Sequence, residues 1–376
     1  MQRRWISLNN IDLAQDIYSD AEVRAMLERN RTVRYEFLVR DTSGNTIGAL
    51  TNASGSISFD STQEVMRTCS LTALKSEILD INAVDERIVP YFCLLAPNNH
   101  WLKYPLGTFL INPSERLSNR SAYVTVEGYD LAKMCLDVSL EDNYLVSSGT
   151  VYTSAITQLV AEIYDNYTVK ADSTLTRTSD KEYEIGTSQL TVINDMLDAI
   201  NYFPLYFDDY GNPIAEPFIF PEMRTIQMSY QANDRSVMFD GVQKSSDLFE
   251  IPNRFIRYTD DADSDRLRSV YTVTDESIIS STVNRGRVIT DVQSVSDVAS
   301  QTVLDSLVRR AALTASQVTE TISFDTLNMP GHGYRNCLRV TCEDLEIDDK
   351  YIEYAWEMEL SPGGKMHHSC NKAVMI

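Results

Sequence analysis

The sequence predicts a mainly β protein with α+β insertions, divided into several domains. Three observations predict it. Short period-two runs separated by turn residues crowd the first 139 positions and return after 236. Helical periodicity is confined to a few stretches, chiefly between 140 and 225 and near 300. Finally, 376 residues that are 43% hydrophobic, with 14 Gly and 11 Pro, suffice for real cores and do not fit a disordered or fibrous chain. At roughly 150 residues per domain, the length suggests two to three domains.

Residues 1–30 read as a helical segment. Ser19 and Glu22 have capping-box spacing ahead of Val23, Met26 and Leu27. Residues 31–139 read as a first β-barrel. Its strands are placed at 34–40, 46–50, 56–59, 69–74, 89–95, 107–111 and 122–130, with a turn at 41–45.

Residues 140–235 read as a small α+β domain. One helix carries Ile156, Leu159, Val160, Ile163 and Tyr164 on a single face. A second, capped by Thr187 or Ser188, carries Leu190, Ile193, Leu197 and Ile200. A strand, turn and strand follow over 203–215, and the turn leaves Asp208 and Asp209 on an exposed tip.

Residues 236–376 read as a second β-barrel region that includes a long helix at about 296–315. The helix presents Leu304, Leu307, Val308, Ala311 and Ala312 to a barrel, with Arg309 and Arg310 placed late, where the helix dipole favours cations. Strands are placed at 253–258, 269–273, 318–324, 337–341 and 351–360, and Pro362-Gly363-Gly364 turns the chain into a last strand. The two β-regions share a grammar of a Gly-led strand, a polar turn and a long alternating strand, which suggests related barrels around an inserted domain.

Charge narrows the function. Lys and Arg number 33 against 54 Asp and Glu, a net −21, so a surface that wraps nucleic acid is excluded. No run approaches the ~20 apolar residues of a membrane span. Arg3 and Arg4 precede Trp5, but Asn9, Asn10 and Asp12 break any signal-peptide core, so a soluble protein made in a cytoplasm is expected. The six cysteines (Cys69, Cys93, Cys135, Cys337, Cys342, Cys370) are scattered and read as reduced thiols.

Chemical constellations are few. Asp261, Asp263 and Asp265 have the spacing that opens a calcium loop, but Arg266 stands where the turn needs Gly and Thr272 where it needs Glu. A solvated acidic hairpin tip is the expected reading. His332, Cys337, Cys342, His367, His368 and Cys370 gather near the C-terminus, yet lack the short paired spacing of a zinc site. They are read as thiols on the sheet faces and exposed histidines, with a metal among them left open. No nucleophile elbow, metalloprotease helix or phosphate loop is present. Catalytic residues, cofactors and metal ligands are therefore expected to be none. Trp5, Trp101 and Trp356 are read as core or interface residues.

Several stretches resemble the tail-tip hub proteins of long-tailed bacteriophages and related injection machines, including the structural N-terminal part of tail-associated lysins. Leu106 to Ile111, followed by Val126-Glu127-Gly128-Tyr129-Asp130-Leu131, is similar to their strand, V-x-G-Y-D and helix passage. Val303 to Ala315, running on through Ile322 to Gly331, is similar to their long helix leading into a second barrel. Pro362 to Met366 resembles their closing hairpin, whereas Tyr334-Arg335-Asn336-Cys337 departs from their Gly-Asp pattern.

The resemblance implies two tail-tube-like barrels plus two smaller domains, and a homotrimer whose six barrels continue a six-fold tail tube above a three-fold tip. It implies partners among tube, distal tail and tip or fibre proteins, with DNA only passing through and no membrane span. The expected location is the virion tail tip. No hydrolase is expected after Met366, so the protein is read as non-enzymatic. The alternatives are a cell-wall hydrolase using carboxylates in 140–225, and a β-rich adhesin for surface sugars.

Overall fold

The computed structural model describes residues 18–79, 81–82, 86–112, 122–164, 173–233, 236–246, 249–259, 266–295, 298–317 and 320–373. In chain order, α1 (Asp20–Leu27) leads into β1 (Val33–Asp41), β2 (Thr46–Leu50), β3 (Ser54–Asp60) and β4 (Arg67–Leu74). Next come α2 (Lys75–Leu79), β5 (Glu86–Leu95), β6 (Trp101–Pro105), β7 (Phe109–Asn112) and β8 (Tyr123–Asp130). The middle holds α3 (Ala132–Asp137), β9 (Tyr144–Val146), α4 (Tyr152–Ile163), β10 (Lys181–Tyr183), α5 (Gln189–Asp198), β11 (Tyr206–Phe207) and β12 (Pro213–Ile214). It is followed by β13 (Met228–Gln231), β14 (Gln243–Ser245), β15 (Arg254–Thr259), β16 (Arg268–Thr272), α6 (Thr282–Arg285), β17 (Thr290–Val295) and α7 (Gln301–Gln317). The last four are β18 (Thr321–Leu327), β19 (Cys337–Cys342), β20 (Ile347–Glu359) and β21 (Lys365–Lys372).

The mainly β class with α+β insertions stands. The two β-regions, however, meet in one open sheet, ordered β14-β18-β21-β20-β3-β4-β8-β7-β5-β1-β2, with β6, β13 and β19 attached beside it. The length of β20 explains the join. Its 13 residues pair β19 along the first half (Ile347 to Ile352) and β3 along the second (Ala355 to Glu359), while β21 lies on the other edge. A register shift between Glu353 and Ala355 marks the change of partner, as a bulge does when it re-aims a strand. One hydrophobic core runs beneath both halves, from Leu27 and Phe37 through Phe92 and Phe109 to Phe324, Tyr351 and Trp356.

The helices form where capping and periodicity agree. The Ser19 hydroxyl accepts from Glu22 N, and the Glu22 carboxylate accepts from Ser19 N at 2.7 Å, which completes the capping box of α1. Ser188 caps α5 by accepting from Thr191 N, and α4 and α5 share a second core with Ala132, Cys135, Phe207 and Ala215.

The long helix lies elsewhere than expected. It packs Val308 and Ala312 against Phe255 of the three-stranded β16-β15-β17 sheet and Val273 just after β16, and Leu304 beside Val298. It also runs on to Gln317, so Arg309 and Arg310 sit mid-helix and not in its last turn. Arg310 therefore reaches sideways to Asp198 and to the Tyr202 carbonyl. All six cysteines are buried free thiols. Trp5, the acidic stretch 261–265 and the pair 296–297 lie outside the described residues; residues 298–300 are not helical, so the long helix starts at Gln301, later than expected.

Candidate functional site

β20 and β21 build the most unusual polar group in the core. In β21, alternation turns Met366, His368 and Cys370 inward and leaves His367 exposed. In β20 the bulge points Glu353 into the same interior. The loop after β18 brings His332 to its other side. Glu353 Oε2 lies 2.6 Å from His332 Nδ1, and Oε1 lies 2.6 Å from His368 Nδ1. All three side chains are fully buried.

The outer ring nitrogens are engaged as well. His332 Nε2 is 2.8 Å from the Tyr230 hydroxyl, and His368 Nε2 is 2.8 Å from Thr326 Oγ1. Phe324 stacks on His368 with ring centroids 4.7 Å apart. Burial acts to raise the Glu353 carboxyl, but the two histidines outweigh it and hold the group below the usual carboxylate range. Burial pushes the His368 imidazole down, against the pull of Glu353.

Among the described residues, His332, Glu353 and His368 form a set that could hold a metal ion. They could do so only by giving up hydrogen bonds that already occupy all four ring nitrogens and both carboxylate oxygens. The geometry as it stands is a closed polar chain, Tyr230–His332–Glu353–His368–Thr326. Such a network satisfies buried polar groups and fixes how strands register.

Of the six residues grouped from the sequence, the structure joins His332 and His368 around Glu353. The expectation of exposed histidines fails for both, because the carboxylate between them makes burial affordable. His367 is exposed and sits 2.8 Å from Asp325. Cys370 pairs in register with Glu353, but Cys337 and Cys342 lie away on β19. Glu353 itself escaped the sequence reading. Its only signal was a lone acid flanked by Tyr351, Ile352 and Tyr354 in a long alternating run.

A second buried ionic group corrects the expected exposed hairpin tip. Asp209 turns inward to Arg67, 2.7 Å away and only 3% exposed in its side chain. Asp130, from the Gly128-Tyr129-Asp130 passage, accepts from Ala132 N at 3.0 Å and starts α3. Burial pushes its carboxyl up to about 6 against the pull of Arg67. Gly128 is required in that passage because a Cβ would meet Cys69 Sγ at 2.5 Å. These carboxylates are held by a guanidinium deep in the fold, an arrangement suited to anchoring.

No protein-family model and no curated protein matches the sequence. Solved structures do match the fold. The chain superposes on the tail protein from Neisseria meningitidis MC58 with a TM-score of 0.65 at 13% identity, covering 90% of this chain and 97% of that one. The 43 kDa tail protein of prophage MuSo2 from Shewanella oneidensis gives 0.60 at 11% identity, covering 90% and 98%. The prophage tail protein gp18 from Listeria monocytogenes gives 0.53 at 15% identity, covering 90% and 95%. The chain has the fold of phage tail proteins.

Proposed function

We propose that the chain is a structural subunit of a phage tail tip or baseplate hub and resides in the virion. In this reading three copies form a ring that joins a six-fold tube to a three-fold tip and lines part of the DNA exit channel. The carrying observation is the shared fold over 90% of this chain and 97% of the Neisseria tail protein. Two further features support it. The open sheet ends in edge strands β2 and β14, whose unpaired backbone groups a neighbouring copy could cover. The net charge of −21 suits a lumen that must let DNA slide past without sticking.

The reading is non-enzymatic, and its partners are the tube, distal tail and tip or fibre proteins. The experiment is mass measurement with electron microscopy of the purified protein. A ring of about 128 kDa, three times 42.6 kDa, is expected. A chain that stays monomeric at high concentration and beside its tail partners overturns the reading.

A further inference from the structure

The three-stranded β16-β15-β17 sheet is covered on one side only. Phe255 packs against α7, and Ser269 donates to Asp305 of that helix at 2.6 Å. Alternation turns the intervening residues the other way. There Val270, Ile256 and Val292 stand in register, one from each strand, as an apolar row across the sheet. Val270 is 38% exposed and Val292 54%, so the row is open to solvent.

This outer face holds no acid. From Thr272, Arg254 and Thr290 at one end to Arg268, Tyr258 and Ser294 at the other, none of its paired positions is Asp or Glu. Arg257, on the α7 side, is paired with Asp291 at 2.8 Å, whereas Arg254 is exposed and forms no ion pair among the described residues. In the sequence Asp260, Asp261, Asp263 and Asp265 join β15 to β16 next to Arg268. Arg254, at the far end, therefore gives the face its cation.

The opposite kind of surface lies on the β9-β10 ribbon. Val146 and Tyr183 are buried in the core beneath α4 and α5, so alternation turns Leu145 and Glu182 outward, directly across from each other. Leu145 is 55% exposed, and Ile185, just beyond β10, is 64% exposed. Glu182 and Glu184 are exposed beside them. The ribbon's cation, Lys181, is taken by Asp195 at 2.5 Å.

We propose that these two surfaces dock on each other between copies of this chain. The Val270-Ile256-Val292 row of one copy meets Leu145 and Ile185 of the next, with Arg254 set against Glu182 and Glu184. Closure of such contacts into a ring rests on the hub reading; the contact itself does not. Both surfaces are uncovered within one chain, so a partner for either comes from outside it. Exposed apolar groups rimmed by charge mark contact surfaces. Two copies of a chain of net −21 repel over most of their surface, and an acid-free face meeting an acidic ribbon is the pairing that charge favours. Because the two surfaces differ, the contact is head-to-tail and leaves each copy one surface for the next. A self-complementary patch would stop at a dimer.

Crosslinking of the full chain tests the contact. All six native thiols are buried, so Val292→Cys and Ile185→Cys each offer one accessible thiol to a short bismaleimide. An equimolar mixture of the two variants is expected to give about tenfold more crosslinked dimer than either variant alone. Equal yields from a single variant make the contact self-complementary and overturn the proposal, as does the absence of any crosslink. Sedimentation velocity reads the charges. Arg254→Glu is expected to weaken self-association about tenfold with an unchanged melting temperature, and adding Glu182→Arg and Glu184→Arg to restore it. A loss that the added arginines do not repair overturns the pairing. Loss of another tail protein's binding by Arg254→Glu, with self-association intact, assigns the face to that protein and also overturns it. A ring that forms equally well with Arg254→Glu and Val292→Asp sinks this proposal and leaves the hub reading intact, whereas a wild-type chain that stays monomeric beside its tail partners sinks the hub reading itself.

Discussion

Arg67 Nη1 lies 2.7 Å from Asp209 Oδ1, and this contact fastens the turn between β11 and β12 to the first β-region. The turn is pressed into place. Asp208 accepts from Tyr210 N and Asn212 N and so satisfies the turn by itself. Gly211, at φ +82°, lies so close that a Cβ would sit 3.0 Å from Leu131 and Thr108. Asp209 is thereby left to face Arg67. The same guanidinium lies 5.9 Å from the Phe59 ring centroid and 5.8 Å from that of Trp356 on β20. One side chain thus touches the first β-region, the α+β segment and the second β-region together.

Arg67→Met is accordingly expected to destabilise the protein strongly. It leaves Asp130 and Asp209 buried without their cation, and breaking a buried pair by removing one partner costs roughly 3–5 kcal/mol. Both carboxyls already lie above their usual range because they are buried. Without Arg67 they should rise further and take up protons. The loss should therefore be larger at pH 8 than at pH 5 in urea unfolding. Equal losses at the two pH values would show that Arg67 acts by packing alone.

Asp130→Asn isolates one of these groups. The folded value of Asp130, about 6, lies above its ordinary 3.8, so the native state holds the proton more tightly than the unfolded chain. Its contribution is complete below pH 3.8 and is lost as the pH rises through about 6. Asn cannot titrate and can still accept from Ala132 N. The stability of the variant relative to wild type should thus rise between pH 4 and pH 7, by roughly 3 kcal/mol at most. A difference that stays flat across that interval, followed by calorimetry, contradicts this account of the site.

Leu304→Ala tests the placement of α7. Leu304 is fully buried in the small cluster with Val298 and Leu307, on a helix that also covers the β16-β15-β17 sheet. Removing it leaves a cavity worth about 2–5 kcal/mol. The urea midpoint should fall with an unchanged slope. A loss below 1 kcal/mol, on the order of a surface change, would place the helix outside the core.

Local patterns carried most of the fold into the sequence. The capping box at Ser19 and Glu22, the Ser188 cap and the alternation of β1, β4, β8 and β20 each depend on neighbours a few residues away. What stayed hidden depends on distant partners. β13 pairs parallel with β19 and β17 parallel with β15, and neither carries a strong pattern of its own. Asp209 follows every local rule for an exposed turn, and only Arg67, far off in the chain, explains its burial. In the same way, nothing beside Glu353 announces that His332 and His368 will close on it.

That buried trio yields the last prediction. His368 is depressed below its ordinary 6.5, and Glu353 below its ordinary 4.5. As pH falls under 6.5 the unfolded chain takes up a histidine proton that the folded His368 refuses. Under 4.5 the unfolded chain also protonates a glutamate that the fold keeps ionised. Both effects have one sign: stability is present at neutral pH and lost on acidification. Glu353→Gln places an amide N–H₂ against one of the two Nδ1–H donors, so one buried donor loses its acceptor. Equilibrium unfolding at pH 7.5 should register a loss of about 2–4 kcal/mol. His368→Phe keeps a ring against Phe324 and removes the titrating nitrogen. It too should destabilise at pH 7.5, since a Glu353 oxygen and Thr326 each lose a partner, yet its stability should fall less steeply than wild type from pH 6.5 to 5. The difference in slope is bounded by about 1.4 kcal/mol per pH unit for one proton. Taking the difference between variant and wild type cancels the opposite trend of Asp130. Parallel stability curves for the two proteins over that range would mean that His368 is already protonated in the fold, and that the core holds an imidazolium between Glu353 and Thr326.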